Sequence, residues 1–153
     1  MANTYTQIHI HTIFAVKFRN ALITQEWQER LHQYITSIVQ NNGHKMIAIN
    51  SMPDHLHCFF GFRPHQSLSD LMRMIKGDSS VWINTQKLSP STFRWQEGYG
   101  AFSYSRSQIP AVTKYIVQQQ AHHSRKTFRE EYKDFLENFQ VKYDDTYVFK
   151  ELQ

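Results

Sequence analysis

The chain contains few cysteines, glycines and prolines, and it has no long apolar run. Its 153 residues include one cysteine, five glycines and four prolines. A lone thiol, Cys58, cannot form an internal disulfide, which is typical of proteins from a reducing compartment. No apolar stretch approaches the roughly 20 residues that a transmembrane helix needs. We therefore expect a cytoplasmic protein with no membrane partner, folded as one domain over residues 1–153.

The excess of positive charge is also small. The chain has 17 lysines and arginines against 13 aspartates and glutamates, which gives a net charge of +4. Hydrophobic residues make up 41% and aromatic residues 14%, so the composition indicates a globular protein and excludes a disordered one. A modest basic excess permits a nucleic-acid partner without requiring one.

The order of apolar patterns predicts an α+β fold. Alternating polar and apolar residues predict four strands, at residues 4–18, 44–51, 55–62 and 99–105. Apolar residues at helical spacing predict four helices, beginning near Thr24, Ser67, Pro110 and Thr127. This order is that of a ferredoxin-like (split βαβ) antiparallel sheet with additional C-terminal helices. Both early helices then cover one face of the sheet and leave the other face for function.

Gly77 interrupts the second predicted helix. Glycine costs a helix about 1 kcal/mol relative to alanine. Either a close approach of another backbone or a simply tolerated glycine explains this position.

The strongest chemical signal is the segment His55-Leu56-His57. Side chains alternate along a strand, so both imidazoles point to one face and Leu56 points to the other. Two neutral imidazoles on one strand face can hold a divalent cation when a third ligand comes from elsewhere. The pattern alone is weak, because two histidines on a half-exposed strand are common. The first strand contains a second example, His9-Ile10-His11.

The third predicted helix brings two further candidates. Tyr115 and Gln119 lie one helical turn apart on one face. The amide oxygen of Gln119 can complete a ligand set with two imidazoles, and that set suits Mg²⁺ or Mn²⁺. The Tyr115 hydroxyl is a candidate nucleophile, although amphipathic helices often carry a tyrosine that only packs in the core.

Together these segments resemble the single-tyrosine HUH transposases of insertion sequences, that is, the IS200-like family and its REP-associated relatives. The matching segments are M-P-D-H-L-H, the helix with Lys76-Gly77, W-Q-E-G-Y-G-A-F-S, Y-x-x-x-Q followed by His122-His123, and the late Tyr143-Asp-Asp-x-Tyr147. The resemblance implies a transposase that cleaves and rejoins single-stranded DNA through a covalent 5′-phosphotyrosine at Tyr115. It also implies that His55, His57 and Gln119 hold the cation.

The resemblance further implies a hairpin-forming single-stranded DNA partner and a homodimer, with the tyrosine helix acting in its own protomer or in the partner. It gives no metal role to His9 and His11, which we interpret as structural or close to DNA. Basic residues near the predicted site are candidates for contacts with DNA phosphates: Arg73, Lys76, Arg94, Arg106, His122, Arg125 and Lys126.

Two other functions fit parts of this pattern. A non-catalytic or domesticated nucleic-acid-binding module of the same fold needs neither Tyr115 nor the metal ligands. A metal-dependent phosphodiesterase using only the H-x-H pair needs no tyrosine and forms no covalent adduct. All four candidate active-site residues are present together, which favours the transposase.

Overall fold

A four-stranded antiparallel sheet forms the centre of the fold. The computed structural model describes residues 3–122 and 127–141. The strands are β1 (His9–Ala15), β2 (Lys45–Met52), β3 (His55–Gly61) and β4 (Gly100–Tyr104). Their order in the sheet is β2-β3-β1-β4, and all neighbours are antiparallel. This is the predicted ferredoxin-like arrangement, with β1 and β3 in the middle.

Two long helices cover one face of the sheet, as predicted. They are α1 (Gln25–Asn41) and α2 (Leu68–Thr85). Their apolar stripes bury against Leu56, Cys58 and Phe60 of β3 in the main hydrophobic core. Every second residue of β3 therefore belongs to this core, and the residues between them face the other way.

Three shorter helices cover the opposite face. They are α3 (Ile109–Val117), α4 (Gln119–His122) and α5 (Phe128–Asn138). Val112 and Ile116 of α3 pack on Ala48 and Phe59. Phe128 and Leu136 of α5 lie in a second cluster with Ile13, Ala15 and Phe102. The histidines of β3 lie in the sheet between these two clusters, so α3 and α5 enclose them from both sides.

The first strand is shorter than the sequence predicts. Residues 4–18 alternate, but the ladder begins at His9 and ends at Ala15. Phe18 and Arg19 adopt positive φ angles of 59° and 60°, which turn the chain away from the sheet. Alternation alone does not show where the partner strands end.

The predicted third helix, from Pro110 to about His123, is divided in two. Gln118 has φ −102° and ψ 25°, outside the helical region, and separates α3 from α4. The amide of Asn50 in β2 donates to the carbonyl oxygens of Ile116 (2.9 Å) and Val117 (3.4 Å). The Asn50 side chain therefore bonds to the backbone at the point where α3 ends.

The surroundings of Gly77 distinguish between a close backbone approach and a tolerated glycine. A Cβ atom built at this residue meets nothing within 4 Å. No neighbouring backbone therefore requires glycine there within the protein, which favours the tolerated glycine.

Within the ranges that the structure describes, no helix is both long and apolar enough to cross a membrane.

Candidate active site

The two histidines of β3 lie side by side on the face that α3 and α5 cover. His55 and His57 are both fully buried, and their ring centroids are 5.2 Å apart. The intervening Leu56 points into the opposite core. The structure therefore has the shared face that the strand alternation predicts.

A hydrogen bond to Asp54 orients His55. The Nδ1 atom of His55 lies 2.7 Å from Asp54 Oδ1, which leaves Nε2 directed into the site. Arg19 donates to the other carboxylate oxygen at 3.3 Å. Burial opposes the charged form of Asp54, but the bonds to His55 and Arg19 outweigh it and lower the pKa of this carboxyl. Burial also lowers the pKa of His55 to about 4, so its ring is neutral at neutral pH.

His57 is oriented by a histidine of the neighbouring strand. Its Nδ1 atom lies 2.7 Å from Nε2 of His11, and the two rings stack with centroids 5.0 Å apart. His11 is fully buried, and burial together with the nearby His57 lowers its pKa. The second H-x-H pair thus has one member in direct contact with the site and one, His9, at the start of β1.

A carboxylate that the sequence analysis did not select lies between these rings and Tyr115. Oε1 of Glu131 is 3.0 Å from His57 Nε2 and 3.6 Å from His55 Nε2. The Tyr115 hydroxyl donates to Oε2 of the same carboxylate. One ligand atom from each of His55, His57 and Glu131 falls within 4.8 Å of the others, close enough to hold a metal ion.

Tyr115 extends from α3 to this cluster and is half-buried. Its ring centroid is 6.1 Å from that of His57. Burial and the adjacent Glu131 carboxylate raise the pKa of Tyr115, whereas a hydrogen bond with Gln119 acts in the opposite direction. The phenol is therefore protonated until additional positive charge enters the site.

Gln119 is the one buried glutamine of a run of three. Its side chain is fully buried, while Gln118 and Gln120 are exposed. Its Nε2 atom lies 3.4 Å from the Tyr115 carbonyl oxygen. Among the described residues, its Oε1 atom has no hydrogen-bond partner. A buried amide oxygen without a donor is well suited to a cation.

A cleft of about 510 Å³ opens beside these residues. Tyr115 and Glu131 line it together with His11, Tyr104 and Phe135. The cleft therefore lies directly beside Tyr115 and the carboxylate that its hydroxyl contacts.

The candidate DNA-contacting arginines lie on the surface. Arg94 and Arg106 are exposed, and Arg73 is 78% exposed and pairs with Asp70 at 2.9 Å. Arg106 lies in the turn that immediately precedes α3. These positions are accessible to a polyanion, and their role stays a prediction.

Lys76 has a second contact that the sequence did not predict. Its ammonium group donates to the carbonyl oxygens of Gln96 (2.7 Å) and Gly98 (2.6 Å). Burial lowers the pKa of Lys76 to about 8. Its hydrogen bonds attach the loop before β4 to α2, whether or not it also meets DNA.

The remaining sequence candidates lie outside the described part of the molecule. Arg125 and Lys126 fall in the gap after α4, as does His123, and Tyr143 and Tyr147 follow residue 141. His122 ends α4, but its side chain is outside the description.

The family assignment comes from comparison with known sequences. The model of the family described as "Transposase IS200 like" matches residues 4–120, which include all four strands and the candidate Tyr115 and Gln119. The chain belongs to the IS200-like transposase family. The expected family and enzyme class, a transposase, are thereby confirmed.

One curated relative of this IS200-like chain is the ISDra2 transposase TnpA of Deinococcus radiodurans. It is 26% identical over 118 residues, which cover 74% of this chain and 84% of the relative. The matched region thus extends over most of both proteins.

Two solved structures resemble the IS200-like chain in fold. A protein of Deinococcus radiodurans R1 described as a transposase gives a TM-score of 0.61 at 23% identity, covering 78% of this chain and 96% of the other. A REP-associated tyrosine transposase bound to a REP hairpin gives 0.59 at 16% identity, covering 80% and 73%. At these identities the similarity establishes the α+β fold and no more.

Glu131 had a signal in the sequence. It lies three residues after Phe128 and four before Phe135, on the side of α5 that packs against the sheet. A charged residue between two core aromatics on one helix face is unusual and indicates a function. The apolar residues at helical spacing in this segment are Phe128, Tyr132, Phe135, Leu136 and Phe139, and this spacing does not select Glu131.

Proposed function

We propose that this transposase-family protein cleaves and rejoins single-stranded DNA through a covalent 5′-phosphotyrosine at Tyr115, with a divalent cation bound by β3. One observation carries the proposal. The hydroxyl of Tyr115 contacts the carboxylate that also lies against Nε2 of both His55 and His57. A candidate nucleophile and candidate metal donors thus lie together, and Tyr115 and Glu131 of this group line an open cleft.

The donor set fits a divalent cation such as Mg²⁺ or Mn²⁺. Asp54 and His11 occupy the Nδ1 atoms of the two imidazoles, so each ring presents Nε2. The buried Oε1 of Gln119 is the proposed amide ligand. When bound, the cation supplies positive charge that polarises a phosphodiester oxygen and favours ionisation of the phenol.

The reaction on the protein side is a transesterification. The Tyr115 oxygen forms a bond to a DNA phosphorus, and the bond from that phosphorus to the 3′-oxygen of the preceding nucleotide breaks. The phenol loses its proton, and the leaving 3′-oxygen gains one. The phosphotyrosine keeps the energy of the broken ester, so a 3′-hydroxyl can attack it and restore a DNA strand. This reversibility distinguishes strand transfer from hydrolysis.

The proposed substrate is single-stranded DNA, folded at the element end as a hairpin. The REP-associated relative of similar fold is bound to a REP hairpin, which supports this class of ligand. Arg73, Lys76, Arg94 and Arg106 are the proposed phosphate contacts in the described part of the chain, and the three arginines among them are exposed. We also keep Arg125, Lys126 and His122 as candidates.

We further propose that the protein acts as a homodimer. The Tyr115 helix packs on the sheet of its own chain through Val112 and Ile116, which supports an active site formed within one protomer. Light scattering at micromolar concentration tests the dimer, and a monomeric mass would contradict it.

The chemistry is tested with labelled single-stranded hairpin DNA, protein and Mn²⁺. The expected product is an SDS-stable protein–DNA adduct that Tyr115→Phe abolishes while DNA binding persists. Tyr104→Phe is the matched control, because Tyr104 lines the same cleft and contacts His11. The control should still form the adduct.

His57→Ala should lose the adduct in the same assay. An adduct that survives Tyr115→Phe would refute the nucleophile. A wild-type protein that binds hairpins tightly but forms no adduct would favour the non-catalytic binding module.

A further inference from the structure

The face of α5 that packs against the sheet carries a buried acidic side chain, Glu131. Phe128 packs on His55 with ring centroids 4.4 Å apart, and Phe135 packs on Phe102 at 5.2 Å and on His11 at 5.1 Å. Glu131 lies between these two anchors in the sequence and is only 3% exposed. The aromatic contacts therefore hold a carboxylate against the sheet at a defined place.

The neighbouring acidic residue behaves differently. Glu130 is exposed, and its side chain closes the capping box with Thr127 at the start of α5. The capping box fixes the first turn of the helix, so it also fixes the direction in which residue 131 points. Glu130 thus caps the start of the helix, whereas Glu131 lies in the candidate site.

The contacts of Glu131 resemble those of a metal ligand. Oε1 lies 3.0 Å from Nε2 of His57 and 3.6 Å from Nε2 of His55, the two nitrogens that face the site. Two imidazoles and one carboxylate that converge from different elements form a common ligand set for divalent first-row metals. The other carboxylate oxygen receives the Tyr115 hydroxyl.

We propose that Glu131 is a direct ligand of the cation held by His55 and His57, and that its second oxygen orients the Tyr115 hydroxyl. This inference rests on the proposed metal-dependent function, and it adds a carboxylate to the ligand set of His55, His57 and Gln119. It assigns α5 a part in the active site in addition to α3. It also predicts that Mn²⁺ binds more tightly than Mg²⁺, because imidazole nitrogens favour the softer ion.

The test measures Mn²⁺ binding by calorimetry in the absence of DNA. Glu131→Gln removes the charge and keeps the shape, and it should weaken Mn²⁺ binding at least tenfold. Glu130→Gln is the matched control, because it removes the same charge one residue away and glutamine still completes a capping box. The control should bind Mn²⁺ as the wild type does.

A second variant separates this inference from the function on which it rests. If His57→Ala and Glu131→Gln both weaken binding, the proposal stands. If His57→Ala weakens binding and Glu131→Gln does not, Glu131 is no ligand although the metal site exists. If neither variant changes Mn²⁺ binding, both the metal site and this inference are wrong.

A measurement on the wild-type protein covers the case in which Glu131→Gln fails to fold. Crystals soaked with Mn²⁺ and measured at an anomalous wavelength locate the ion directly. A Glu131 oxygen in the coordination shell supports the proposal. An ion held by His55 and His57 with the Glu131 carboxylate outside that shell overturns it.

Discussion

Nε2 of His11 and Nδ1 of His57 lie 2.7 Å apart, within hydrogen-bond distance. A neutral imidazole that coordinates a cation through Nε2 carries its proton on Nδ1. His57 can therefore serve as a ligand only if His11 accepts that proton in a hydrogen bond. The contact links the protonation of His11 in β1 to the metal binding that we propose for His57 in β3.

The first prediction tests this link. His11→Leu removes the acceptor and should weaken Mn²⁺ binding by about ten- to a hundredfold. His11→Gln places an amide oxygen near the position of the lost Nε2 and should retain most of the affinity. Calorimetry gives the affinities, and thermal unfolding without metal checks the fold. Equal losses in the two variants would mean that His11 acts through packing alone.

The second prediction concerns the bond that ends α3. Asn50→Ala removes the donor to Ile116 and should lower the free energy of unfolding by about 1 kcal/mol. Because the lost bond lies one residue after Tyr115, adduct formation should also slow. Asn84→Ala is the control, since Asn84 makes two similar bonds to the Phe93 backbone away from the site. Asn84→Ala should lower the free energy of unfolding, but the rate of adduct formation per folded molecule should not change. If both variants slow the adduct reaction equally, Asn50 has no role in positioning Tyr115.

The third prediction separates two basic residues of α2. Lys76→Met loses two hydrogen bonds to the loop before β4 and should destabilise the protein by roughly 1–3 kcal/mol. Arg73→Ala loses only a surface ion pair, so its stability should change by less than about 0.5 kcal/mol. Urea unfolding and hairpin binding are measured for both. A stable Lys76→Met protein with weakened hairpin binding would show that Lys76 acts mainly on DNA.

The fourth prediction uses two glycines. Gly77→Ala should raise the free energy of unfolding by about 1 kcal/mol, because the helix gains propensity and the new Cβ meets nothing within 4 Å. Gly100→Ala should lower it, since its Cβ would lie 2.8 Å from the Tyr132 hydroxyl and 3.0 Å from Ile13. Denaturant unfolding measures both. A Gly77→Ala protein that gains stability but binds hairpins poorly would indicate that DNA approaches the helix there.

The fifth prediction is a pH dependence of stability. Burial lowers the pKa of His32 to about 4, whereas an unfolded histidine titrates near 6.5. Between these values the unfolded chain binds more protons, so the free energy of unfolding falls as pH decreases from about 6.5 to about 4. His32→Gln should reduce this decline. His65→Gln, at an exposed position, is the control. Identical slopes for the wild type and His32→Gln would contradict the lowered pKa of this half-buried ring.

Local sequence patterns predicted much of the fold. The start of α5 is an example, because Thr127 and Glu130 form the capping box that their spacing indicates. The alternation of β3 likewise placed His55 and His57 on one face. Both features depend on residues within a few positions of one another, where chain geometry leaves few choices.

The rest of the site depends on contacts between distant segments. The His11–His57 bond joins residues 46 positions apart, and Glu131 meets His57 across 74 positions. These contacts depend on the registry of β1 with β3 and on the direction in which α5 packs. Neither can be predicted from the pattern of neighbouring residues. The break at Gln118 also coincides with a contact between distant segments, because Asn50 of β2 donates to the Ile116 carbonyl oxygen there.

The alternation of β3 has an evolutionary consequence. Leu56, Cys58 and Phe60 hold the main core together, while His55 and His57 point to the other layer. A lineage that loses the proposed strand cleavage can therefore replace the odd-numbered histidines and keep the even-numbered apolar residues. In descendants that no longer transpose, we expect substitutions at His55 and His57. The core residues Leu56, Cys58 and Phe60 between and after them should be kept.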